Sequence, residues 1–221
     1  MLQGGVRIEL KAKKQYGDKL ALDVDCSFEE GKIYAIIGNN GCGKSTFLKV
    51  LSKQIKFEGT ISAPKKVIYM TQSSYNFDFN VKHNILLFIN KKDEEKVKEA
   101  NRMMEFLGID LLSKKNAQKV SGGEGQKTAL IRTLMQNGDL LLLDEPTSSM
   151  DISSSAKAET LIKEYQQRTG CTVFIVTHSV AQAESISDEI IFFNEGRIIE
   201  KGKDITKNPS TPLLQEYLNT L

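Results

Sequence analysis

The sequence predicts an α/β fold in which strands and helices alternate around a buried sheet. Residues 140–143 and 171–177 are apolar runs of strand length, which is typical of strands covered on both faces. A third run, residues 32–37, leads into the glycine-rich segment GNNGCGKST and then into a helical pattern. Nearer the amino terminus, polar and apolar residues alternate, which predicts strands with one face in water. We therefore expect a mixed sheet, an N-terminal antiparallel β layer and a small α-helical subdomain.

Composition narrows the class of protein. Of the 221 residues, 40% are hydrophobic and 26% are charged, as in ordinary globular domains. The 30 basic and 28 acidic residues nearly cancel, so charge gives no reason to expect nucleic acid or an anionic membrane surface as a partner. No apolar run approaches the roughly 20 residues of a membrane span, and the amino terminus lacks a signal-peptide pattern. These observations predict a cytoplasmic protein.

Cysteine usage predicts a reducing compartment. Cys26, Cys42 and Cys171 are widely spaced and lack metal-ligand spacing, which predicts free thiols and neither a disulfide nor a zinc site. Cys42 lies inside the glycine-rich segment, and two interpretations stay open for it. Its thiol is reactive if the neighbouring helix start lowers its pKa, and it is inert if it is buried.

The glycine-rich segment, residues 38–46, matches the phosphate-binding pattern G-x-x-x-x-G-K-[ST]. Glycines let the backbone turn tightly and point successive N–H groups at an anion, and the following helix adds its positive dipole end. We expect Lys44 to reach the β- and γ-phosphates of ATP and the Ser45 hydroxyl to ligate Mg²⁺. The predicted fold class is therefore a P-loop NTPase core. The residues expected around the nucleotide are Gly38, Asn39, Asn40, Gly41, Cys42, Gly43, Lys44, Ser45 and Thr46.

Two acids and a histidine follow predicted buried strands. Asp144 and Glu145 end the run that begins at Leu140, and ligands bind at the carboxyl ends of strands in open α/β sheets. We expect Asp144 to hold the Mg²⁺ shell and Glu145 to act as general base on the attacking water. His178 follows the strand at 171–177 and is expected at the same edge of the sheet. A single histidine there is either structural or catalytic, and the neighbouring acids favour catalysis.

The remaining chain divides into a core and an insertion. Residues 81–89 and 93–107 show helical spacing, which predicts a helical subdomain of about 73–120 within a core of 1–72 and 121–221. The other predicted elements are strands at 6–10, 20–25, 59–62 and 67–70, a hairpin of strands at 190–193 and 198–200, and a helix at 212–221.

The segment Ser121-Gly122-Gly123-Glu124 has the form of a helix start, with a hydroxyl cap and an acid three residues on. Alone, it is best interpreted as a plain capping box. The order of all these motifs, from about residue 6 to 202, however resembles the ATP-binding cassette (ABC) ATPase family. The resemblance implies that Ser121, Gly122 and Gly123 form the signature motif, which contacts the γ-phosphate of ATP bound to the opposite subunit. Val120 and Glu124 depart mildly from the leucine and glutamine that usually flank it.

The same resemblance assigns roles to three further residues. Tyr16, expected on a turn and otherwise an ordinary surface tyrosine, corresponds to the aromatic residue that stacks on adenine. Gln72 corresponds to the glutamine that touches Mg²⁺ and senses the transport partner, and Asp151 to the aspartate of the subunit-bridging loop. A head-to-tail dimer that encloses two ATP molecules is implied, with Lys44 and His178 among the groups that contact the phosphates.

A complete ATPase without a membrane span implies separate transmembrane permease subunits. The chain is then expected to be cytoplasmic and peripheral on the membrane, and to touch it only through the permease. We expect docking near Gln72 and residues 73–80, where Tyr75, Phe77 and Phe79 either form the docking groove or pack in the core.

Residues 116–134 most resemble cassettes of tungstate or phosphate importers. The alternative is a soluble ABC ATPase that drives assembly, as in iron–sulfur cluster biogenesis, where a glutamate also ends the signature.

Overall fold

The computed structural model describes residues 7–73 and 75–220. Val6, expected in the first strand, Ser74, within the expected docking segment, and Leu221, expected to end the last helix, lie outside the described residues. The strands are β1 (Arg7–Tyr16), β2 (Lys19–Glu29), β3 (Ile33–Ile37), β4 (Glu58–Ser62), β5 (Val67–Met70), β6 (Leu140–Asp144), β7 (Thr172–Val176), β8 (Glu189–Asn194) and β9 (Arg197–Gly202). The helices are α1 (Lys44–Leu51), α2 (Val81–Ile85), α3 (Glu94–Phe106), α4 (Gly122–Leu134), α5 (Ile152–Thr169), α6 (Val180–Ile186) and α7 (Pro212–Asn219).

The described residues form two compact units. The first contains residues 7–69, 139–144 and 170–220, and the second contains residues 70–73, 75–138 and 145–169. The sequence predicted a smaller insertion of about 73–120, and the difference is that α4 and α5 group with α2 and α3. Periodicity shows which face of a helix is apolar, but it does not show which neighbour covers that face.

The first unit contains two sheets. An antiparallel sheet has the order β2-β1-β4, and a six-stranded sheet has the order β5-β6-β7-β3-β8-β9. In the larger sheet, β6, β7, β3 and β8 pair in parallel, while β8 and β9 form the predicted hairpin around Glu195 and Gly196. The mixed sheet and the antiparallel layer are therefore confirmed. Among the described residues, none of the helices has the length and apolar composition needed to cross a membrane.

An aromatic cluster holds α1 against the larger sheet. The Phe174 ring on β7 stacks on Tyr34 of β3 at 5.1 Å and meets Phe28 of β2 edge-on at 4.9 Å. Phe47 of α1 packs edge-on against Phe174 at 5.8 Å. Such aromatic pairs each add about 0.5–1.5 kcal/mol beyond the burial of their area. The cluster fixes α1, and with it the loop that precedes α1, on the carboxyl ends of the strands.

In the second unit, α4 contacts α2, α3 and α5. Ion pairs join α3 to α5, among them Arg102 with Glu164 at 2.8 Å and Arg168 with Glu99 at 3.0 Å. Both pairs are partly exposed and contribute little to stability, so apolar residues between the helices supply most of it.

Several predicted boundaries differ from the structure, and the largest difference is in β1, which was expected to end at residue 10 and continues to Tyr16. Tyr16 is the last residue of β1 rather than part of the turn, because β1 and β2 pair along almost their whole length. Helix α2 ends at Ile85 instead of 89, and turns follow it. Apolar residues continue after Ile85 with helical spacing, but the spacing alone does not set where hydrogen bonding stops.

Candidate nucleotide-binding site

The phosphate loop, residues 38–43, connects β3 to α1 and requires glycine at both ends. Gly38 has φ +142°, and a Cβ there would lie 2.2 Å from the Phe193 carbonyl oxygen. Gly43 has φ +112°, and its Cβ would lie 2.6 Å from the carbonyl oxygen of Ala21. Both distances are shorter than any normal carbon–oxygen contact. The neighbouring strands therefore exclude side chains from these positions, and the loop folds tightly against β2 and β8.

Lys44 is buried at the start of α1, and its ammonium group lies inside the loop. Its Nζ donates to the carbonyl oxygens of Gly38 at 2.7 Å and Asn39 at 2.9 Å. The N-cap of α1 is Gly43, which offers no side chain to the first N–H groups of the helix. A cation and a helix start without a side-chain cap therefore lie together, as an anion-binding site requires. Asn39, Asn40 and Gly41 are exposed at the crest of the loop, and Ser45 and Thr46 are half-buried.

Cys42 is buried, and of its two interpretations the structure favours the inert thiol. Burial raises the pKa of the Cys42 thiol, and the Lys44 charge opposes this shift only in part. Backbone N–H groups of Cys42 and of Lys44, the first residue of α1, also lower this pKa, but burial outweighs them. A raised pKa leaves little thiolate at neutral pH, and the thiolate is the reactive form.

A hydroxyl and a carboxylate meet beside the phosphate loop. The Ser45 hydroxyl donates to Asp144 Oδ1 at 3.2 Å, and the Tyr69 hydroxyl donates to Asp144 Oδ2 at the same distance. Asp144 ends β6 and is buried. Burial and the negative charge of Asp144 raise the pKa of Tyr69, so Tyr69 stays protonated and acts as a donor. Nothing in the sequence pointed to a role for Tyr69, although the alternating pattern of its strand places it on the same face as Val67.

The carboxyl ends of β3, β6 and β7 lie at one edge of the sheet. Val176 pairs with Asp144 on one side and with Ile36 on the other. His178 comes two residues after Val176 and is exposed at this edge, between the end of β7 and the start of α6. The structure therefore places His178 near the strand ends as predicted, and its catalytic role stays a prediction.

Tyr16 offers an exposed ring at the end of β1. Its exposed fraction is 54%, and the Lys14 ammonium lies 4.9 Å from the ring centre. An exposed aromatic face suits stacking on a base, but the structure does not by itself assign that role.

In the second unit, Ser121 is the N-cap of α4 and forms the predicted capping box. Its hydroxyl accepts from the Glu124 N–H at 3.3 Å, and the Glu124 carboxylate accepts from the Ser121 N–H at 2.8 Å. The cap uses one lone pair of the hydroxyl, which leaves its O–H for another acceptor, and the Glu124 carboxylate is one such acceptor in this structure. Ser121 and Gly122 are exposed, and Gly123 is half-buried. A Cβ on Gly123 would lie 2.7 Å from the Ser149 carbonyl oxygen, so the loop after Glu145 approaches this helix start closely.

Glu145 adopts a left-handed backbone conformation, with φ +51°. Such a conformation is unfavourable for a residue with a side chain and is often found at functional sites. Its carbonyl oxygen accepts from Gln126 Nε2 at 2.9 Å, while Gln126 Oε1 accepts from the Ser149 N–H at 2.8 Å. Gln126 is buried and fixes both ends of the turn that carries Glu145. Sequence reasoning missed Gln126, because a glutamine within a helix gives no sign of its partners.

The structure defines the local positions of two further predicted site residues, Asp151 and Gln72. Asp151 caps α5, since its carboxylate accepts from the Ser154 hydroxyl at 2.6 Å and from the Ser154 N–H at 2.9 Å. These hydrogen bonds lower the pKa of Asp151. Gln72 is exposed two residues after the end of β5. Their assigned contacts, with a second subunit and with Mg²⁺, stay predictions.

The first unit has the geometry of a protein that binds a nucleoside triphosphate by its phosphates. A family model described as ABC transporter matches residues 21–148, and the chain belongs to this ATPase family. It therefore binds ATP and hydrolyses it to power transport. The resemblance inferred from the order of motifs is confirmed.

Curated relatives match most of the chain. The tungstate uptake system ATP-binding protein TupC of Peptoclostridium acidaminophilum is 39% identical over 201 residues, which cover 85% of this chain and 94% of that protein. The aliphatic sulfonates import ATP-binding protein SsuB 2 of Paracoccus denitrificans is 34% identical, covering 84% of this chain and 76% of that protein. The phosphate import ATP-binding protein PstB of Malacoplasma penetrans is 33% identical, with coverages of 92% and 81%.

Solved structures share the fold. The ADP conformation of MJ1267, an ATP-binding cassette of an ABC transporter, matches with a TM-score of 0.77 and 25% identity, covering 97% of this chain and 98% of that one. The dimeric structure of MJ0796, a bacterial ABC transporter cassette, matches with a TM-score of 0.79 and 24% identity, covering 90% and 98%. At this identity the second match concerns the fold alone. Both confirm the predicted α/β architecture.

Proposed function

We propose that this chain is the ATP-hydrolysing subunit of an importer-type ABC transporter and acts through separate permease subunits. The observation that carries the proposal is the hydrogen bond between Ser45 and Asp144 next to the buried Lys44. It brings a cation, a hydroxyl and a carboxylate to the place where phosphates and a magnesium ion are expected. Relatives named for uptake of tungstate and import of sulfonates and phosphate support import, and they favour an oxyanion as the cargo.

ATP binding uses the phosphate loop. Lys44 replaces its hydrogen bonds to the loop carbonyl oxygens with hydrogen bonds to β- and γ-phosphate oxygens. The first N–H groups of α1 donate to the same phosphates. The Ser45 hydroxyl and the Gln72 amide oxygen would ligate Mg²⁺ directly, and the Asp144 carboxylate would hold the ion through a bound water. These are the hard oxygen donors that Mg²⁺ prefers. When bound, this ion neutralises charge on the β- and γ-phosphates. Tyr16 stacks on the adenine.

Hydrolysis uses residues at the strand ends. Glu145 orients the attacking water and accepts its proton, as a general base. His178 donates a hydrogen bond to the γ-phosphate as charge develops there. The left-handed backbone of Glu145, held through Gln126, supports this role because strain is retained where a side chain must point in one direction.

The site is completed by a second cassette. Ser121, Gly122 and Gly123 are exposed or half-exposed at the start of α4, and together they offer a hydroxyl and backbone N–H groups to the γ-phosphate of ATP held by the partner. Asp151 lies on the loop expected to meet the partner. A two-fold dimer then contains two identical sites, each with a phosphate loop from one chain and a signature motif from the other.

The permease contacts the second unit. Tyr75, Phe77 and Phe79 form an aromatic surface, and the exposed fractions of Tyr75 and Phe79 are 63% and 42%. The three rings contact one another in sequence, and His83 stacks on Phe79. Of the two interpretations left open by the sequence, this exposure favours docking over core packing. The chain is then peripheral on the cytoplasmic face of the membrane and binds no nucleic acid.

Mixing two inactive variants tests the shared site. Lys44→Ala damages the phosphate loop and Ser121→Ala the signature motif, so each variant alone forms dimers without an intact site. In an equal mixture of the two, random pairing leaves about a quarter of all sites intact. ATPase activity is therefore expected to return to about a quarter of the unmodified rate in the mixture. A mixture as inactive as its components would show that the signature motif does not act on the partner's nucleotide.

Membrane fractionation followed by affinity capture tests the permease. A tagged chain is expected to sediment with membranes and to capture a protein with several membrane spans. The double variant Tyr75→Ala/Phe79→Ala is expected to lose this partner, while Leu111→Ala, which removes an apolar side chain of 93% exposure, retains it. Capture of a scaffold protein without membrane spans would favour the assembly ATPase instead.

A further inference from the structure

Polar contacts from α4 and α2 hold the aromatic surface in the second unit. Arg132, in the last turn of α4, donates from Nη2 to the Tyr75 carbonyl oxygen at 2.6 Å and from Nη1 to Asn84 Oδ1 at 3.1 Å. Its guanidinium carbon is 5.5 Å from the centre of the Phe77 ring. A planar guanidinium with several partners on different segments is a rigid anchor.

Asn84 of α2 fixes the backbone of the same surface. Its side chain is fully buried, and Nδ2 donates to the carbonyl oxygens of Phe77 at 3.1 Å and Phe79 at 3.2 Å. Its Oδ1 accepts from the Phe77 N–H at 2.9 Å. Moving this segment away from α2 would leave buried polar groups unpaired, which is unfavourable.

Asn76, between two of the three rings, joins this segment to both ends of α4. Its Nδ2 donates to the Gly125 carbonyl oxygen at 3.1 Å, and its Oδ1 accepts from Arg132 Nη1 at 3.3 Å. Gly125 is in the first turn of the helix, where its N–H donates to the Ser121 carbonyl oxygen at 2.8 Å. One amide therefore connects the aromatic surface to the turn that begins with the signature serine.

We infer that Asn76 is a positioning residue that couples the aromatic surface to the signature motif. This inference rests on the proposed function, because it takes the aromatic surface as the permease contact and Ser121 as the contact with ATP. Helix α4 is a single continuous element from Gly122 to Leu134, so a displacement of the Asn76 segment must move α4 or break hydrogen bonds at both of its ends. Coupling between sites is reciprocal, so ATP at the signature motif must also act on the aromatic surface.

Reciprocity allows a test with ATP alone, before a permease is identified. Hydrogen–deuterium exchange is measured on the Glu145→Gln variant with and without Mg²⁺ and ATP, so that the nucleotide is not consumed. We expect ATP to slow exchange of the amides at 120–125 and, by at least about threefold, of those at 75–80. With Asn76→Ala added, the effect at 120–125 remains and the effect at 75–80 is lost.

Asn116→Ala is the matched control. Asn116 Nδ2 donates to Asp78 Oδ1 at 2.6 Å, so it also holds the segment that carries the aromatic rings. Its Oδ1 accepts from the Gln118 N–H at 2.8 Å, and neither of these contacts involves α4. Its removal can speed exchange at 75–80 overall, yet the slowing caused by ATP must persist. If Asn116→Ala and Asn76→Ala remove the ATP effect equally, local loosening explains both and the inference is wrong.

Gly125→Ala separates coupling from stability. A Cβ at Gly125 would lie 2.9 Å from Asn76 Nδ2, so it displaces the end of a flexible side chain without altering Asn76 itself. Alanine is also a better helix former than glycine, so the melting temperature is not expected to fall. We expect Gly125→Ala to lose roughly half or more of the ATP effect at 75–80 while its melting temperature stays equal or rises. A general loss of structure would instead lower the melting temperature.

The outcomes distinguish this inference from the proposed function. If ATP changes exchange neither at the phosphate loop nor at 120–125, the nucleotide-driven dimer itself is wrong. If both of those regions respond while 75–80 does not, the dimer stands and the coupling through Asn76 is wrong. The coupling is equally wrong if Asn76→Ala preserves the response at 75–80.

Discussion

The two glycine-rich helix starts of this chain differ in how they are capped and in how far they are exposed. The phosphate loop leads into α1 through Gly43, which supplies no capping side chain, and it encloses the buried Lys44. The signature segment leads into α4 through Ser121, whose capping box satisfies the backbone locally, and it is exposed. A helix start that lacks a side-chain cap and lies around a cation suits a ligand held by its own chain. A helix start that is capped and exposed suits a ligand presented by another molecule.

The difference teaches that glycine has two uses in these motifs. In the phosphate loop, Gly38 is required because a side chain would collide with β8. In the signature segment, Gly122 has no atom closer than 4.0 Å to its hypothetical Cβ, so packing within the chain does not require glycine there. A glycine that its own fold does not require is explained by the close approach of a partner or ligand.

Replacing Glu145 by glutamine is expected to have the largest effect, and it separates nucleotide binding at the phosphate loop from the chemistry. Loss of a general base slows turnover by about 10²- to 10⁴-fold, while ATP affinity stays within about threefold. Steady-state ATPase rates and equilibrium binding of ATP check the two parts. Glu95→Gln, on the exposed face of α3, is the control and should turn over normally. Unchanged turnover in Glu145→Gln would remove Glu145 from the role.

Alanine substitutions at Gly38 and Gly122 test the two uses of glycine. We expect Gly38→Ala to lower the free energy of unfolding by more than about 2 kcal/mol, because the new Cβ meets backbone that cannot easily move. Gly122→Ala should change it by less than about 0.5 kcal/mol while reducing ATPase activity of the dimer. Chemical denaturation of both variants gives the comparison. Equal destabilisation would show that the signature segment is as constrained as the phosphate loop.

Lys44→Ala and Ser121→Ala test which helix start binds nucleotide within one chain. Lys44→Ala removes the buried cation, so ATP affinity should fall by at least about tenfold, as expected for loss of a charged hydrogen bond. Ser121→Ala should leave affinity in the monomer unchanged, since its hydroxyl acts on the partner's ATP. Equilibrium binding at low protein concentration, where dimers are absent, measures both. Lys49→Ala on the same helix controls for the loss of a positive charge.

Glu124 gives the smallest expected effect, and it depends on pH. The hydrogen bond donated by the Ser121 N–H lowers the pKa of Glu124 from its ordinary value of 4.5. A carboxylate with a lowered folded pKa stabilises the fold above the ordinary value, and this contribution disappears as the pH falls through the folded value. At pH 7, Glu124→Gln should therefore lower the free energy of unfolding by at most about 1 kcal/mol, because solvent screens the charge of the capping box. In strong acid it should leave the free energy of unfolding unchanged. Thermal melts from pH 7 to pH 3 check this. A deficit that is constant with pH would mean that charge is not involved.

Much of the fold and the first part of the site follow from short patterns. The loop 38–46, the acids after β6, the hairpin at Glu195 and Gly196 and the box at Ser121 are each coded by neighbouring residues. Turn chemistry, capping and β-branched or apolar runs act over a few residues, so these features can be predicted locally.

Other parts of the site could not be predicted, since they depend on distant segments. Tyr69 becomes a partner of Asp144 only because β5 and β6 lie in one sheet. Gln126 reaches the Glu145 carbonyl oxygen across 19 residues, and Arg132 reaches Tyr75 across 57. Helical periodicity identifies the inward face of α4, but it does not identify the polar groups of other segments with which that face forms hydrogen bonds.

The sequence by itself determined the phosphate loop, the strand that delivers Asp144 and Glu145, and the identity of the family. Only the tertiary structure decided that Cys42 is buried with a raised pKa, that α4 and α5 belong with the helical unit, and that Asn76 joins an aromatic surface to the signature helix. The physical reason is the distance along the chain over which each property is determined. Backbone conformation is set largely by adjacent residues, whereas burial, pKa and side-chain hydrogen bonds are set by whichever remote segments the fold brings together.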